Sequence, residues 1–386
     1  FPSSMGPAGG SGSTWKSSRP TRRSSDSDES SGSAEDKVNN VPCDLLQLED
    51  FSDATLLKGL WARYESRNIF TWVGQVLVSV NPYTDIGAFK EEMAAQYASS
   101  IPPQAPHLFG MVRSALSSPG SRHALLITGE SGAGKTEATR AVLQFLAMRH
   151  TATDYIRDRL IRSTPVLEAF GNAHTRQNSN SSRFGKFIEV HMSADSEVVG
   201  ATLQPYMLEA SRVAGDLPDG ERTYHIFYLL RAALSALSSQ QAPSGPFWAR
   251  LAVAPEWSEL VKIAGPLMAA SKRLSNGPKD ARCLEWFEGL VEGLIATGMR
   301  NIEVAECCRI VAAVALLCDP EIGEESLPAA ATLLRLEVRD LRNFLTRIEM
   351  GLGPKEKVFR ERTEREAVTL RASFAQELYS ALFSPG

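Results

Sequence analysis

The 386-residue sequence predicts an α/β fold, with a central β-sheet flanked by helices and a C-terminal half that is mostly helical. Three observations lead there. A short apolar run, Ala124-Leu-Leu-Ile-Thr128, enters a glycine-rich turn and leaves it as a helical stretch, the strand–loop–helix pattern of sheets built with crossover helices. Phe187-Ile-Glu-Val-His191 and Ala201-Thr-Leu-Gln-Pro-Tyr-Met-Leu208 alternate like two strands around a turn at 195–200. Beyond Ser238 the apolar residues recur at helical spacing between Pro and Gly breaks.

Residues 1–40 are Ser/Gly-rich and almost devoid of large apolar side chains, so they are predicted to be a disordered tail, too polar to offset the entropy of ordering. Order begins near Val41. Asp53 is placed to N-cap a helix whose Leu56, Leu57, Leu60 and Tyr64 form a core-facing stripe. Gln75-Val-Leu-Val-Ser-Val80 reads as a buried strand stopped by Asn81-Pro82. A Pro-rich loop at 102–106 precedes a helix over 107–117, and the helix after Thr136 runs to about Met148. Tyr155–Phe170 is helical, with Pro165 marking a kink or restart. Residues 172–185 are a polar loop, and 221–237 form a helix with Tyr224, Phe227 and Tyr228 on its apolar side. The remaining helices are expected at 283–297, 302–317, 328–336, 339–348 and 360–383. Val314-Ala-Leu-Leu-Cys-Asp319 also resembles an apolar strand ending in a metal-holding Asp, but the run before it reads continuously as helix.

Composition narrows the function. The chain has 43% hydrophobic and 22% charged residues, as in soluble globular proteins, and is long enough for two ordinary domains or one large one. With 41 Lys+Arg against 45 Asp+Glu the net charge is −4, which gives no overall basicity to argue for nucleic acid. Five cysteines without C-x-x-C spacing suit reduced thiols rather than disulfides or zinc. The longest apolar stretch, around 310–318, is too short to span a bilayer, so no transmembrane segment is expected. The N-terminus shows no secretory pattern, and a chain that starts at Phe1 reads as a fragment.

The chemistry is concentrated in Gly129-Glu-Ser-Gly-Ala-Gly-Lys-Thr136, a G-x-x-x-x-G-K-[ST] phosphate loop in its strand–loop–helix setting, and so of P-loop NTPase type. Gly129, Gly132 and Gly134 let the backbone wrap a phosphate and present N–H groups to it, together with Glu130, Ser131 and Ala133; the following helix adds its positive end. Lys135 reaches the β- and γ-phosphates as a point charge, and the Thr136 hydroxyl is a Mg²⁺ ligand. The alternative is a glycine-rich αβ turn without a ligand. A P-loop holds phosphates without itself positioning water. Asn178-Ser-Asn-Ser-Ser-Arg-Phe-Gly-Lys186 has the hydroxyls, amides and cation for that task, although alone it is also an ordinary polar loop.

Together these stretches resemble a myosin motor domain. Gly129-Glu-Ser-Gly-Ala-Gly-Lys-Thr-Glu137 is the myosin form of the P-loop, and Asn178-Ser-Asn-Ser-Ser-Arg-Phe-Gly-Lys186 resembles the family's switch I. Val166-Leu-Glu-Ala-Phe-Gly-Asn-Ala173, Leu208-Glu-Ala-Ser-Arg-Val213 and Gly220-Glu-Arg-Thr-Tyr-His-Ile-Phe-Tyr228 add support in order and spacing. The resemblance covers about 41–383, is tightest to Leu230, and among unconventional myosins points toward class XV. It implies a fold like part of a myosin head over 41–386 and ATP and Mg²⁺ as ligands. It also implies actin filaments as partner and a place in the cytoplasm on the actin cytoskeleton. By the same resemblance Asn178 contacts phosphate, Ser182 joins Thr136 at Mg²⁺, and Ser181 holds the γ-phosphate and attacking water. Lys135 and Mg²⁺ stabilise developing charge, and Arg183 closes the back of the site by a salt bridge. Asn81-Pro-Tyr-Thr-Asp-Ile-Gly-Ala-Phe89 resembles the adenine loop, with Asn81 and Phe89 as cofactor contacts and Phe89 standing where the family usually has Tyr. Thr175-Arg-Gln-Asn178 carries Gln177 at a usual Arg position.

One departure matters most. The Arg183 bridge needs a carboxylate from switch II, the family's D-x-x-G-F-E segment, and no Asp in this sequence is followed three residues later by Gly. Phe374-Ala-Gln-Glu-Leu-Tyr-Ser-Ala-Leu-Phe383 resembles the segment leading toward switch II. Two expectations follow: the ATP-binding part of an actin-based motor ending before switch II, or a truncated, non-motile nucleotide-binding or scaffold module with little turnover. Exposed apolar edges and poor solubility are expected with either. The basic run Lys355, Lys357, Arg360, Arg362 and Arg365 reads as a solvated helix face or an actin contact. His107, His123, His174, His191 and His225 read as packing or surface groups, and Trp248, Trp257 and Trp286 as core.

Overall fold

A computed structural model describes residues 41–117, 122–148, 154–193, 197–275, 277, 282–319, 326–351 and 357–383. The tail expected over 1–40, residues 195 and 196 of the expected 195–200 turn, and Lys355 of the basic run lie outside these. The chain divides into two compact units: one runs to Gly129 and includes Ala133–Phe145, and the other comprises Glu130–Gly132 and the chain from Leu146 onward.

In the first unit, a helical turn at Leu45–Gln47 is capped by Asp44, whose carboxylate accepts from the N–H of Leu46 at 3.0 Å and of Gly74 at 3.1 Å. Helix α1 (Asp53–Glu65) is N-capped by Ser52, one residue before the expected Asp53, because Ser52 is extended and its hydroxyl accepts from Thr55. Of the expected apolar stripe, Leu56, Leu60 and Tyr64 are half-buried, and the fully buried positions lie beside them. Leu57 is exposed, while Gly59 and Arg63 are buried. The Arg63 guanidinium satisfies itself on Thr71 Oγ1 at 2.9 Å and the Phe70 carbonyl at 2.8 Å, which makes its burial tolerable.

Strands β1 (Phe70–Val73) and β2 (Val76–Ser79) form a hairpin in which Val73 pairs with Val76, and Gly74 takes φ +60° at the tight turn. The buried strand expected at 75–80 is therefore the half-exposed second strand of a two-stranded ribbon. Helices α2 (Glu91–Ala98) and α3 (Leu108–Leu116) follow, then α4 (Lys135–Met148) after the glycine-rich loop. An aromatic cluster of Phe70, Phe89, Tyr97, His107, Phe109 and Phe145 forms the core of this unit, with Phe109 stacked on Phe145 at 4.7 Å.

The second unit opens with α5 (Asp154–Gly171), which carries Pro165 inside one continuous helix. Two short strands, β3 (Asn172–Ala173) and β4 (Ser181–Ser182), lie within the stretch expected to be all loop. The alternating segments form an antiparallel pair, β5 (Gly185–Met192) and β6 (Val198–Tyr206). Helices α6 (His225–Ser238), α7 (Pro246–Val253), α8 (Pro255–Ala270), α9 (Arg282–Ala296) and α10 (Asn301–Cys318) come next. Then follow α11 (Ser326–Leu333), α12 (Val338–Thr346), the hairpin β7 (Arg347–Gly351) and β8 (Lys357–Glu361), and α13 (Glu364–Phe383).

The core of this unit surrounds α6 and α10; every residue from Val311 to Cys318 is buried. Trp248 and Trp257 are buried in it and Trp286 packs against it. Tyr379 of α13, fully buried, stacks on Tyr224 at 5.2 Å and donates its hydroxyl to the Phe170 carbonyl at 2.7 Å, tying α13 to α5 and α6.

The mixture of helix and strand and the helical C-terminal half agree with the expected class. The central sheet differs: among the described residues the strands pair only two at a time, always antiparallel. Residues 124–128, expected as a buried strand, run outside any ladder, with Leu126 90% exposed. No described strand lies beside them to accept their backbone hydrogen bonds or cover their side chains. Asp319 is the C-cap of α10 and accepts from Ser271 Oγ at 2.5 Å, so the strand reading of 314–319 is wrong. Helix α13 starts at Glu364 instead of 360, because Arg360 lies in β8 and pairs with Glu366 at 2.7 Å.

Candidate functional site

The loop before α4 has the backbone its glycines imply. Gly129, Gly132 and Gly134 take φ of +151°, +83° and +94°, values that side-chain-bearing residues avoid. At Gly129 the room is also missing, since a Cβ there would stand 3.1 Å from the Ala133 methyl. The Ala138 N–H donates to the Gly134 carbonyl at 2.9 Å, so α4 begins directly after the loop. Lys135, the first helical residue, donates from Nζ to the Gly129 carbonyl at 2.6 Å, folding its ammonium back over the loop. Thr136 is half-buried in the same first turn. Gly134 faces Asn81, whose Cγ would lie 4.0 Å from a Cβ at that glycine. Phe89, also of the expected adenine loop, presents edge-type contacts to Phe70 at 6.0 Å and Phe109 at 6.1 Å.

Glu130–Gly132 belong to the second unit, which also holds 178–186. There the Ser131 hydroxyl lies 2.9 Å from that of Ser181, which is 2% exposed. Ser181 is held by the β3–β4 pairing, where it stands opposite Ala173. The loop is closed by its own side chains. Thr175 Oγ1 donates to the Asn178 carbonyl and accepts from the Asn178 N–H; the Asn178 side chain accepts from the Asn180 N–H; and the Asn172 amide donates to Asn180. Ser182 donates to the Phe184 carbonyl at 3.1 Å, which leaves oxygen lone pairs for a cation.

Arg183 is gripped through its backbone, its N–H donating to Gly171 at 2.8 Å and its carbonyl accepting from Glu209 at 3.0 Å. Its Nε also lies 3.4 Å from the Glu209 carboxylate. That carboxylate is shared with Arg212, 4% exposed, which also reaches Glu221 at 2.9 Å. Burial works against the Arg212 cation, but its hydrogen bonds to Glu209 and Glu221 outweigh it and hold the guanidinium pKa above its usual value. Sequence reasoning assigned the partner of Arg183 to switch II and missed Glu209. The signal was present, since Leu208-Glu-Ala-Ser-Arg-Val213 stood among the motifs as a family match without a role.

A mixed α/β chain with a phosphate loop of this shape is a P-loop protein in class. The sequence pattern described as Myosin head (motor domain) matches residues 43–244, and the chain belongs to the myosin head family. Unconventional myosin heavy chain 6 of Caenorhabditis elegans is 41% identical over 196 residues, covering 50% of this chain and 9% of the relative. Unconventional myosin-Ia of Mus musculus is 31% identical over 362 residues, 88% of this chain and 33% of the relative. Unconventional myosin-XV of Homo sapiens is 32% identical over 360 residues, 88% of this chain and 10% of the relative. The chain thus spans from under a tenth to a third of these relatives, and classes I and XV match it equally well.

Proposed function

We propose that this chain is the ATP-binding part of an actin-based myosin motor. The observation that carries the proposal is the 2.9 Å approach of Ser131, from the phosphate loop, to Ser181, from the switch-I-like loop. Two loops whose hydroxyls meet support a reading in which both contact one terminal phosphate. The residue chemistry suits a magnesium nucleotide: the Thr136 hydroxyl and the Ser182 hydroxyl are each the kind of oxygen a hard cation takes, and the positive-φ glycines with the N-terminus of α4 suit an anion.

In this reading Gly129–Thr136 bind and orient the phosphates, with Glu130, Ser131, Gly132 and Ala133 offering backbone N–H groups and Lys135 countering charge on the transferred group. Ser181 orients the attacking water, Asn178 contacts phosphate, and Arg183 fixes the loop. Asn81 and Phe89 hold the adenine end. The bound metal supplies charge neutralisation of the β- and γ-phosphates. A central sheet carrying both loops belongs to the same proposal, as does engagement of actin filaments in the cytoplasm.

The function is tested by steady-state phosphate release from ATP with and without actin filaments, using this chain and Lys135→Ala. Release that is low, for want of a switch II match, and that the variant abolishes is the expected result. Release that ignores both actin and Lys135 would refute the motor reading.

A further inference from the structure

Arg183 follows directly on the two serines of the switch-I-like loop, so whatever fixes Arg183 fixes their hydroxyls. In the described structure its charge partner is Glu209, at 3.4 Å. The same residue holds Arg183 a second way, because the Glu209 N–H donates to the Arg183 carbonyl at 3.0 Å. Glu209 is in turn immobilised. Arg212 donates to both of its carboxylate oxygens, at 3.1 and 3.2 Å, and is anchored on the Glu221 carboxylate at 2.9 Å and the Arg222 carbonyl at 3.0 Å. The buried Tyr224 hydroxyl donates to the Glu209 carbonyl at 2.9 Å. Charges alternate along Arg183, Glu209, Arg212 and Glu221, so Glu209 lies between two cations and the buried Arg212 between two carboxylates.

We propose that Glu209 is a positioning residue for terminal-phosphate recognition: it holds Arg183, and through it the Ser181 and Ser182 hydroxyls, against the buried Arg212 and its partner Glu221. The inference rests on the proposed nucleotide function and deepens it. Among the described residues the Glu209 carboxylate pairs with Arg183 and Arg212, so its effect falls on the contribution of the terminal phosphate. The base and inner phosphates are left to the adenine loop and the phosphate loop.

The test is equilibrium binding of Mg·ATP and Mg·ADP to the full 386-residue chain and to Glu209→Gln, which keeps shape and removes charge. The expected result is an affinity for Mg·ATP lowered about fivefold, as befits a half-exposed charge pair, with Mg·ADP changed less than about twofold. Arg183→Gln reads the same contact from the other side and should show the same selective loss, so a poorly folded Glu209 variant does not decide the matter. Equal weakening of both nucleotides, or no change in either, would overturn the positioning role. Lys135→Ala in the same titration separates the two claims, because loss of both nucleotides there supports the phosphate loop whatever Glu209 does. Failure of the unmutated chain to bind either nucleotide would overturn the function, and this inference with it.

Discussion

Ser131 and Ser181, fifty residues apart in sequence, bring their hydroxyls to 2.9 Å within one compact unit. One sits on the glycine-rich loop and is exposed, the other is almost fully buried, so the pair joins an exposed turn to a fixed support. Replacing each by alanine, singly and together, should give a coupling of about 1 kcal/mol in Mg·ATP affinity. Additive effects in that double-mutant cycle would separate the two loops.

Gly134 has room for a methyl group, with nothing nearer than the Asn81 side chain, yet its φ of +94° is strained for any other residue. Gly134→Ala should therefore cost about 1–3 kcal/mol, relieved by distorting the turn. The readout is Mg·ATP affinity alongside the thermal midpoint: a tenfold or greater loss of affinity with a modest fall in midpoint is expected.

His107 is buried, accepts the Phe109 N–H on Nδ1 at 3.0 Å as cap of α3, and makes its other ring contact, Nε2, with the Ala88 carbonyl at 3.0 Å. The capping contact makes Nδ1 the acceptor and Nε2 the donor, so a second proton would set a donor against the Phe109 N–H. Burial lowers its pKa to about 4, partly opposed by the Ala88 bond; burial lowers that of His225 to about 4 as well. A folded pKa below the unfolded one means the neutral rings stabilise fully above about pH 6.5 and lose that contribution as pH falls toward 4. Chemical denaturation between pH 7 and pH 4 should show this decline, and His107→Gln should flatten part of it.

Leu126 is 90% exposed in an extended segment with no ladder partner among the described residues. Such an unpaired apolar edge favours self-association. Leu126→Ser should raise soluble yield and shift aggregation to higher concentration, measured by light scattering, while changing unfolding free energy by no more than about 0.5 kcal/mol.

Much of this was legible in the sequence. The phosphate loop and the helices of the second unit declare themselves through glycine spacing and helical periodicity, and 187–191 and 201–208 through alternation. What escaped depended on contacts distant in sequence. The buried face of α1 is set by Arg63, a residue that looks solvent-facing until Thr71 and the Phe70 carbonyl satisfy its guanidinium. The β7–β8 hairpin is rich in charge, and Arg360 joined the helical pattern on paper while its ion pair with Glu366 holds it in the strand. The 208–213 motif points to Glu209 as a family match, but its bridge to Arg183 needs the fold, because neither spacing nor periodicity links residue 209 to residue 183.

The central claim is a phosphate site built on Lys135 and its glycine loop. Titration of Mg·ATP into the folded chain tests it most directly, with Lys135→Ala measured beside it. The account predicts saturable binding that the variant weakens at least tenfold, about 1.5–3 kcal/mol for a charge-assisted contact. No saturation by folded protein at about millimolar ATP (a standard binding free energy of about −4 kcal/mol), or equal affinity in the variant, would contradict it.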